Sequence, residues 1–271
     1  MRRKKTIHAA LTFLLGLLWL LPVVYLLNVA LKPPEELYSV GVFTLVQQPT
    51  LANFSEAWNK VQGYLANSLL YVLVSVPLGI LLASFAAFGA SRITSRRRQS
   101  VVNFFLVGML IPVHITLLPN YLTVIRLGLL DSRAGLCLLY TVFNIPFAFY
   151  LMYGAFMKIS REIEEAAIID GANIWQVYGR VVMPISRPSI VIAALINFIG
   201  VWNELIFANT FLQSNTKLPI TTGLLQFVGE FTTAYEKITA GILMSALPIL
   251  LLFILFRKSI MSGMTEGALK G

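Results

Sequence analysis

Charge is scarce in this chain. Only 12% of its 271 residues are Asp, Glu, Lys or Arg, against roughly a quarter in soluble domains. Cysteine is nearly absent: Cys137 stands alone inside an apolar run, which excludes an intrachain disulfide or a cysteine metal framework. The two histidines, His8 and His114, lie far apart and form no metal pattern. A proton relay at His114 is conceivable, but a capped or interfacial histidine is the commoner situation. No G-x-x-x-x-G-K-[ST] run occurs, nor any Gly-Lys pair, so no loop is built to cradle nucleotide phosphates. H-E-x-x-H, G-x-S-x-G and paired cysteines are missing as well. No enzyme and no bound cofactor are expected in this chain.

What is present is apolar. Hydrophobic residues make up 57% of the chain and the mean hydropathy is +0.77, which predicts an integral membrane protein. The net charge of +9 does not point to nucleic acid, because the basic residues cluster at the ends of apolar runs. Six such runs predict six spans of an all-α polytopic protein, one domain over 1–271, at about 7–31, 64–90, 100–123, 134–157, 189–212 and 238–256. A signal peptide would have a shorter apolar core than the first, and Pro22 is tolerated in it as a kink. Asn53 is expected to cap a short surface helix carrying Phe54, Ala57 and Trp58. Small residues Ala83, Ser84, Ala87 and Gly89 in the second run suit close helix contacts in lipid. Arg2, Arg3, Lys4 and Lys5, then Arg92 and Arg96 to Arg98, Lys158 to Arg187, and Arg257, Lys258 and Lys270 would share one side. Lys32, Lys60, Arg126, Arg133, Lys217 and Lys237 would share the other, fifteen against six of the 21. That excess places both termini in the cytoplasm.

The informative stretch lies between the fourth and fifth runs, at 158–188. Ile159 to Pro188 is too long for a simple turn, and long connections usually carry function. Ser160 is expected to cap a first helix, with Glu162, Glu164 and Glu165 in its early turns. Ile163, Ala166, Ala167 and Asp170 follow i, i+3, i+4, i+7 and make a narrow, flat side. Gly171 sits where a helix ends in a left-handed residue. Asn173 opens a second helix with Gln176 three residues on, as in a capping box. Ile174, Val177, Tyr178 and Val181 share its apolar side, and Pro184 and Pro188 close the segment. On sequence alone, an ordinary amphipathic connector on the membrane surface is the plain alternative.

Glu165-Ala166-Ala167, three residues, Gly171, nine residues, then Val181-Val182-Met183-Pro184 resembles the EAA loop of membrane subunits of bacterial ABC importers. Val181 and Met183 stand at the usual Ile and Leu positions, and Ser160 where relatives often have proline. The Asn67-Ser68 start of the second span, its Ala86-Ala87 to Ser91-Arg92 finish, Trp202-Asn203-Glu204, Leu218-Pro219-Ile220 with Gly223, and the tail GMTEGALKG resemble the carbohydrate-uptake branch, in particular the second permease of maltose-type systems. The resemblance implies a permease in the bacterial cell membrane, pairing with a second, homologous permease as a heterodimer. Two cytoplasmic ATPase subunits would bind ATP and Mg, and an extracytoplasmic solute-binding protein would deliver a sugar.

By the same resemblance, Glu164, Glu165, Ala166, Ala167, Asp170, Gly171, Ala172 and Pro184 would form the coupling element that docks on the ATPase. Lys217, Pro219 and Gly223 would touch the binding protein, and Glu266, Gly267 and Lys270 the ATPase pair. Asn203 and Glu204 are expected to line the pathway; for Glu204 the alternatives are holding neighbouring helices or a solvated place at the outer interface. A self-contained secondary transporter is the competing function, but no internal repeat and few intramembrane charges support it. A membrane scaffold would not need the EAA spacing.

Overall fold

The computed structural model describes residues 2–228 and 233–268, with side chains over 11–228 and 233–257. Thirteen α-helices occur among them, in chain order. They are α1 (Arg2–Ala30), α2 (Pro34–Val40), α3 (Ala52–Arg92), α4 (Arg97–Leu110), α5 (Leu117–Arg126) and α6 (Arg133–Phe156). Then come α7 (Arg161–Ile169), α8 (Ile174–Gln176), α9 (Met183–Ile185), α10 (Arg187–Trp202), α11 (Ile206–Phe211), α12 (Ile220–Leu224) and α13 (Tyr235–Ala268). No strand occurs among the described residues; the only pairing is one isolated bridge, Val228 to Thr233. The all-α expectation holds.

Four of these stretches are long and apolar enough to cross a membrane: Leu11–Ala30, Ala52–Arg92, Arg133–Phe156 and Tyr235–Arg257. Two bent pairs bring the number to six if each counts as one span. The span expected at 100–123 is one of these bent pairs. The chain turns by 87° between Arg97–Leu110 and Val113–Arg126. Pro112 has no N–H for the helix ladder and forces Ile111 into extended geometry, at φ −74° and ψ 118°. The run at 189–212 is also broken, since α10 ends at Trp202 and α11 begins at Ile206. Asn53 caps nothing. It is buried inside α3, and its amide donates to the carbonyls of Ala30 (2.9 Å) and Lys32 (2.6 Å). The expected short surface helix at 53–60 is therefore the first part of α3.

The chain divides into two compact units, Met1–Gly63 with Gly223–Leu247, and Tyr64–Thr222 with Pro248–Gly271. In the first, Leu37, Ala57, Val61 and Ala240 are buried, and Lys237 pairs with Glu56 at 2.5 Å. In the second, α6 is the central helix, packed on α4 and α10. Two backbone carbonyls of α6 accept from side chains of neighbouring helices, while the Asn144 side-chain amide is buried without a partner. Ser75 donates to the Cys137 carbonyl (3.1 Å), and Asn197 to that of Asn144 (3.2 Å). α3 and α6 approach so closely that a Cβ on Gly79 would stand 2.9 Å from Cβ of Asn144.

Candidate functional site

The stretch after α6 folds as its local chemistry dictates. The Ser160 hydroxyl accepts from the Glu162 N–H (3.3 Å) and starts α7. Gly171, at φ +88°, ends it. The Gly171 N–H donates to Ile168 and the Ala172 N–H to Ala167, the paired bonds of a Schellman closure. Asn173 and Gln176 then form a reciprocal capping box. A single π-helical stretch, Val177–Val182, follows. Pro184 lies just beyond it and lacks the N–H for a regular turn, so the widened turn stands where the ladder is interrupted.

One side of this stretch is bolted to α3. Ser84, Phe88 and Arg92 recur every four residues and share a face. The Ser84 hydroxyl meets the Tyr178 hydroxyl at 2.6 Å in a buried contact. Tyr178 also packs on Phe85 and Phe88, each at 5.2 Å between ring centroids. Arg92 closes the end: its Nε donates to Glu164 Oε2 (2.8 Å) and its Nη2 to Oε1, a two-pronged ion pair. Its remaining nitrogen donates to Ser91 (3.0 Å) and toward the Phe156 carbonyl at the end of α6. The guanidinium lies 5.1 Å from the Phe88 ring.

Glu164, expected on the docking face, is therefore corrected. Its side chain is only 9% exposed and its carboxylate is consumed within the chain. Of the other residues expected to dock, Glu165, Ala166, Asp170, Gly171 and Pro184 are exposed, and Ala167 and Ala172 are half-buried. Exposed apolar side chains flank them, notably Ile168, Ile169 (85%), Ile174 and Trp175 (67%). Of the apolar side shared by Ile174, Val177, Tyr178 and Val181, Val177 and Tyr178 are buried while Ile174 is exposed.

About 37 Å along α3, by helix rise, the Asn67 end makes a second attachment. The Asn67 amide donates to the carbonyls of Thr216 (2.9 Å) and Leu218 (3.0 Å). The Tyr71 hydroxyl donates to the Lys217 carbonyl (2.6 Å), and the Ile220 N–H donates to Ser68 Oγ (2.8 Å). Arg133 donates to both Asn67 Oδ1 and the Thr216 carbonyl.

Asp131 completes the knot from a left-handed backbone, φ +52°. Its Oδ1 accepts from the N–H groups of Gln213 and Ser214, and its Oδ2 from the Ser214 hydroxyl and, at 2.8 Å, the Lys217 ammonium. The Lys217 contact first, then these further donors, hold the Asp131 carboxyl well below the usual carboxylate range. Of the three residues expected to touch a binding protein, two are corrected and the third is partly exposed. Lys217 is turned onto Asp131, and Pro219 and Gly223 are buried. Gln213, Asn215 and Thr216 are the exposed residues there.

Glu204 takes the helix-holding alternative. Its carboxylate accepts from the Tyr140 hydroxyl (2.6 Å) and from the N–H groups of Phe207 (2.7 Å) and Ala208 (3.0 Å), restarting the helix as α11. Its carbonyl accepts from Thr221 (2.7 Å). Asn203 is exposed, and its amide donates back to Ile199. His114 is exposed and lies 6.0 Å from the Phe207 ring, with no relay partner in contact. Glu266 and Gly267 have a described backbone in α13 but undescribed side chains, and Lys270 lies outside the described residues.

Sequence reasoning missed Arg92 as a strut, and Asp131 and Arg133 as a knot. Arg92 and Asp131 bind partners more than seventy residues away, and Arg133 does so at sixty-six and more. The signal that points to them is a charge beside a small or turn residue at the end of an apolar run.

Comparison with known proteins agrees with this architecture. The family described as "Binding-protein-dependent transport system inner membrane component" matches residues 75–259. The diacetylchitobiose uptake system permease protein NgcG of Streptomyces coelicolor is 27% identical over 99% of this chain and 90% of its own length. The trehalose transport system permease protein SugB of Mycobacterium tuberculosis is 27% identical over 99% of both. Among solved structures, a chain of a bacterial ABC transporter involved in the import of the acidic polysaccharide alginate superposes with a TM-score of 0.82. It is 23% identical and covers 96% of this chain and 97% of that one. With its apolar helices, capped EAA stretch and family match over most of its length, this chain belongs to the binding-protein-dependent transport inner membrane components, as a multi-pass permease subunit of the ABC type and not an enzyme.

Proposed function

We propose that this chain forms half of the translocation pathway of a carbohydrate importer and receives its driving force through residues 158–188. The observation that carries the reading is the mounting of α7. Its outward side, Glu165 to Gly171 with Ile168 and Ile169, is exposed, while its inward side is fixed to α3 by Arg92 and Glu164. A helix that is free on one side and clamped on the other carries a push from a docked partner into the second span. Small side chains at Ala166 and Ala167 let that partner approach the backbone. The partner is a cytoplasmic ATPase pair that holds ATP and Mg; both termini of this chain lie on the same side. A second, homologous permease completes the pathway, and an extracytoplasmic binding protein supplies the sugar. The carbohydrate class is supported by the names of NgcG and SugB and by the alginate transporter. Only different contacts with the ATPase in its two nucleotide states can shift the pathway.

Ala167→Trp tests the docking side. Co-purification with the ATPase and sugar uptake in reconstituted vesicles are expected to fall together, while the chain still enters the membrane. Wild-type co-purification would show that this side carries no partner. Vesicles holding this chain without an ATPase are expected to move no sugar.

A further inference from the structure

We propose that residues 41–48 are an interfacial anchor that places Phe43 and Leu45 in the bilayer at the end of α1 remote from Arg2–Lys5. The segment has no regular helix, yet it is built firmly. The Lys32 ammonium, on a residue with no exposed surface, donates to the Gly41 carbonyl and to Thr44 Oγ1, both at 2.8 Å. The Asn28 amide donates to the Thr44 carbonyl (2.7 Å), and Asn28 Oδ1 accepts from the Val46 N–H (2.8 Å). The Glu36 carboxylate accepts from the N–H groups of Gln47 (2.8 Å) and Gln48 (3.0 Å). Five backbone polar groups that water would otherwise satisfy are thus bonded within the chain. Irregular backbone needs that internal satisfaction to approach hydrocarbon.

What the segment displays is apolar. Phe43 is 87% and Leu45 79% exposed, with Tyr38 and Leu51 exposed beside them. No charged residue occurs between Glu36 and Glu56. The charged groups beside the patch, Glu36 and Lys32, are bonded to its backbone, and its exposed polar residues, Thr44, Gln47 and Gln48, are uncharged. The patch is continuous with the apolar surface of α1, since the Phe43 ring lies 5.7 Å from that of Tyr25. From Leu11 to Val24 every described α1 side chain is exposed, so this chain covers none of that apolar surface. Tyr25, Tyr38 and Trp58 supply the aromatic residues that favour the headgroup level.

The test uses the assembled transporter in lipid nanodiscs. Phe43→Cys, in a Cys137→Ser background, carries an environment-sensitive fluorophore, and Gln47→Cys serves as the polar control. Lipids with a nitroxide high on the acyl chain are expected to quench the Phe43 probe roughly threefold more than the Gln47 probe. Aqueous iodide is expected to show the reverse order. Quenching of the Phe43 probe by iodide and not by lipid would overturn the proposal. So would shielding that appears only after the solute-binding protein is added, or shielding from both quenchers, which marks burial against another subunit. Leu45→Cys provides a second position if the first label impairs assembly. Sugar uptake measured on the same sample separates failure of the anchor from failure of the transport reading.

Discussion

The stretch at 158–188 and the loop at 213–220 both connect to α3, and both were expected to meet partners. They differ in what they leave unbonded. The first keeps one carboxylate, Glu164, for the chain and turns Glu165, Ile169 and Trp175 outward. The second bonds its polar groups within the chain, although Gln213, Asn215 and Thr216 keep exposed side chains: Lys217 onto Asp131, Pro219 into the core, and the carbonyls of Thr216, Lys217 and Leu218 onto Asn67, Tyr71 and Arg133. A segment whose polar groups are satisfied internally acts as part of the scaffold. A segment braced from behind and bare in front suits the coupling role proposed for it. The same sequence resemblance covered both, and only their bonding separates the roles.

The comparison breaks most severely at Arg92. In Arg92→Ala the Glu164 carboxylate stays buried without a partner, a loss of about 3 kcal/mol. Sugar uptake and ATPase co-purification are both expected to collapse, with reduced yield of assembled complex. Arg92→Lys keeps the charge but not the two-pronged geometry, and is expected to recover assembly ahead of coupling, read as ATP hydrolysed per sugar moved. Equal loss in both variants would reduce the pair to a folding element.

Gly171 comes next. A Cβ there meets nothing within 4 Å, so the penalty of Gly171→Leu comes from the backbone at φ +88° alone. That costs about 1 to 2 kcal/mol, near tenfold in uptake if the strained turn must form in order to dock. Gly171→Asn, which tolerates the left-handed region, is expected to retain most of the uptake. Identical uptake in both variants would mean that the turn is dispensable.

A smaller effect is expected at the other attachment. The Asp131 carboxyl is held below its ordinary value near 4. Its stabilising effect is therefore fully present above that pH and is lost only as pH falls through the lower folded value. Hydrogen exchange at the Gln213 and Ser214 amides should be equally protected, after correction for intrinsic rates, from pH 7 down to about 5. Asp131→Ala should expose both amides at every pH, and loss of protection near pH 5 in the wild-type chain would contradict the knot. The smallest effect belongs to Lys217→Gln. Because its ammonium is engaged by Asp131, affinity for the binding protein is expected to change by less than about threefold, under 1 kcal/mol. A tenfold loss would return Lys217 to the contact surface.

Legibility in the sequence followed range. Ser160, Gly171, and Asn173 with Gln176 could be read because caps act within four residues, and each is found in place. Proline was ambiguous. Pro22, Pro77, Pro146 and Pro248 remain inside helices, whereas Pro112 sits at an 87° bend. Neighbouring helices decide whether a freed carbonyl is tolerated, and that decision is not local. Glu204 was left open between three roles because its partners, Tyr140 and Thr221, come from other elements.

The sequence by itself determined the solvent and the punctuation. Sparse charge and long apolar runs required lipid, and the cap residues fixed where α7 and α8 begin and α7 ends. Tertiary structure alone decided which of two adjacent glutamates faces outward and that Lys217 pairs with Asp131. Cap signals depend on backbone groups a few residues apart, but the fate of a side chain depends on what the fold brings against it. Arg92 reaches Glu164 across 72 positions, and Lys217 reaches Asp131 across 86.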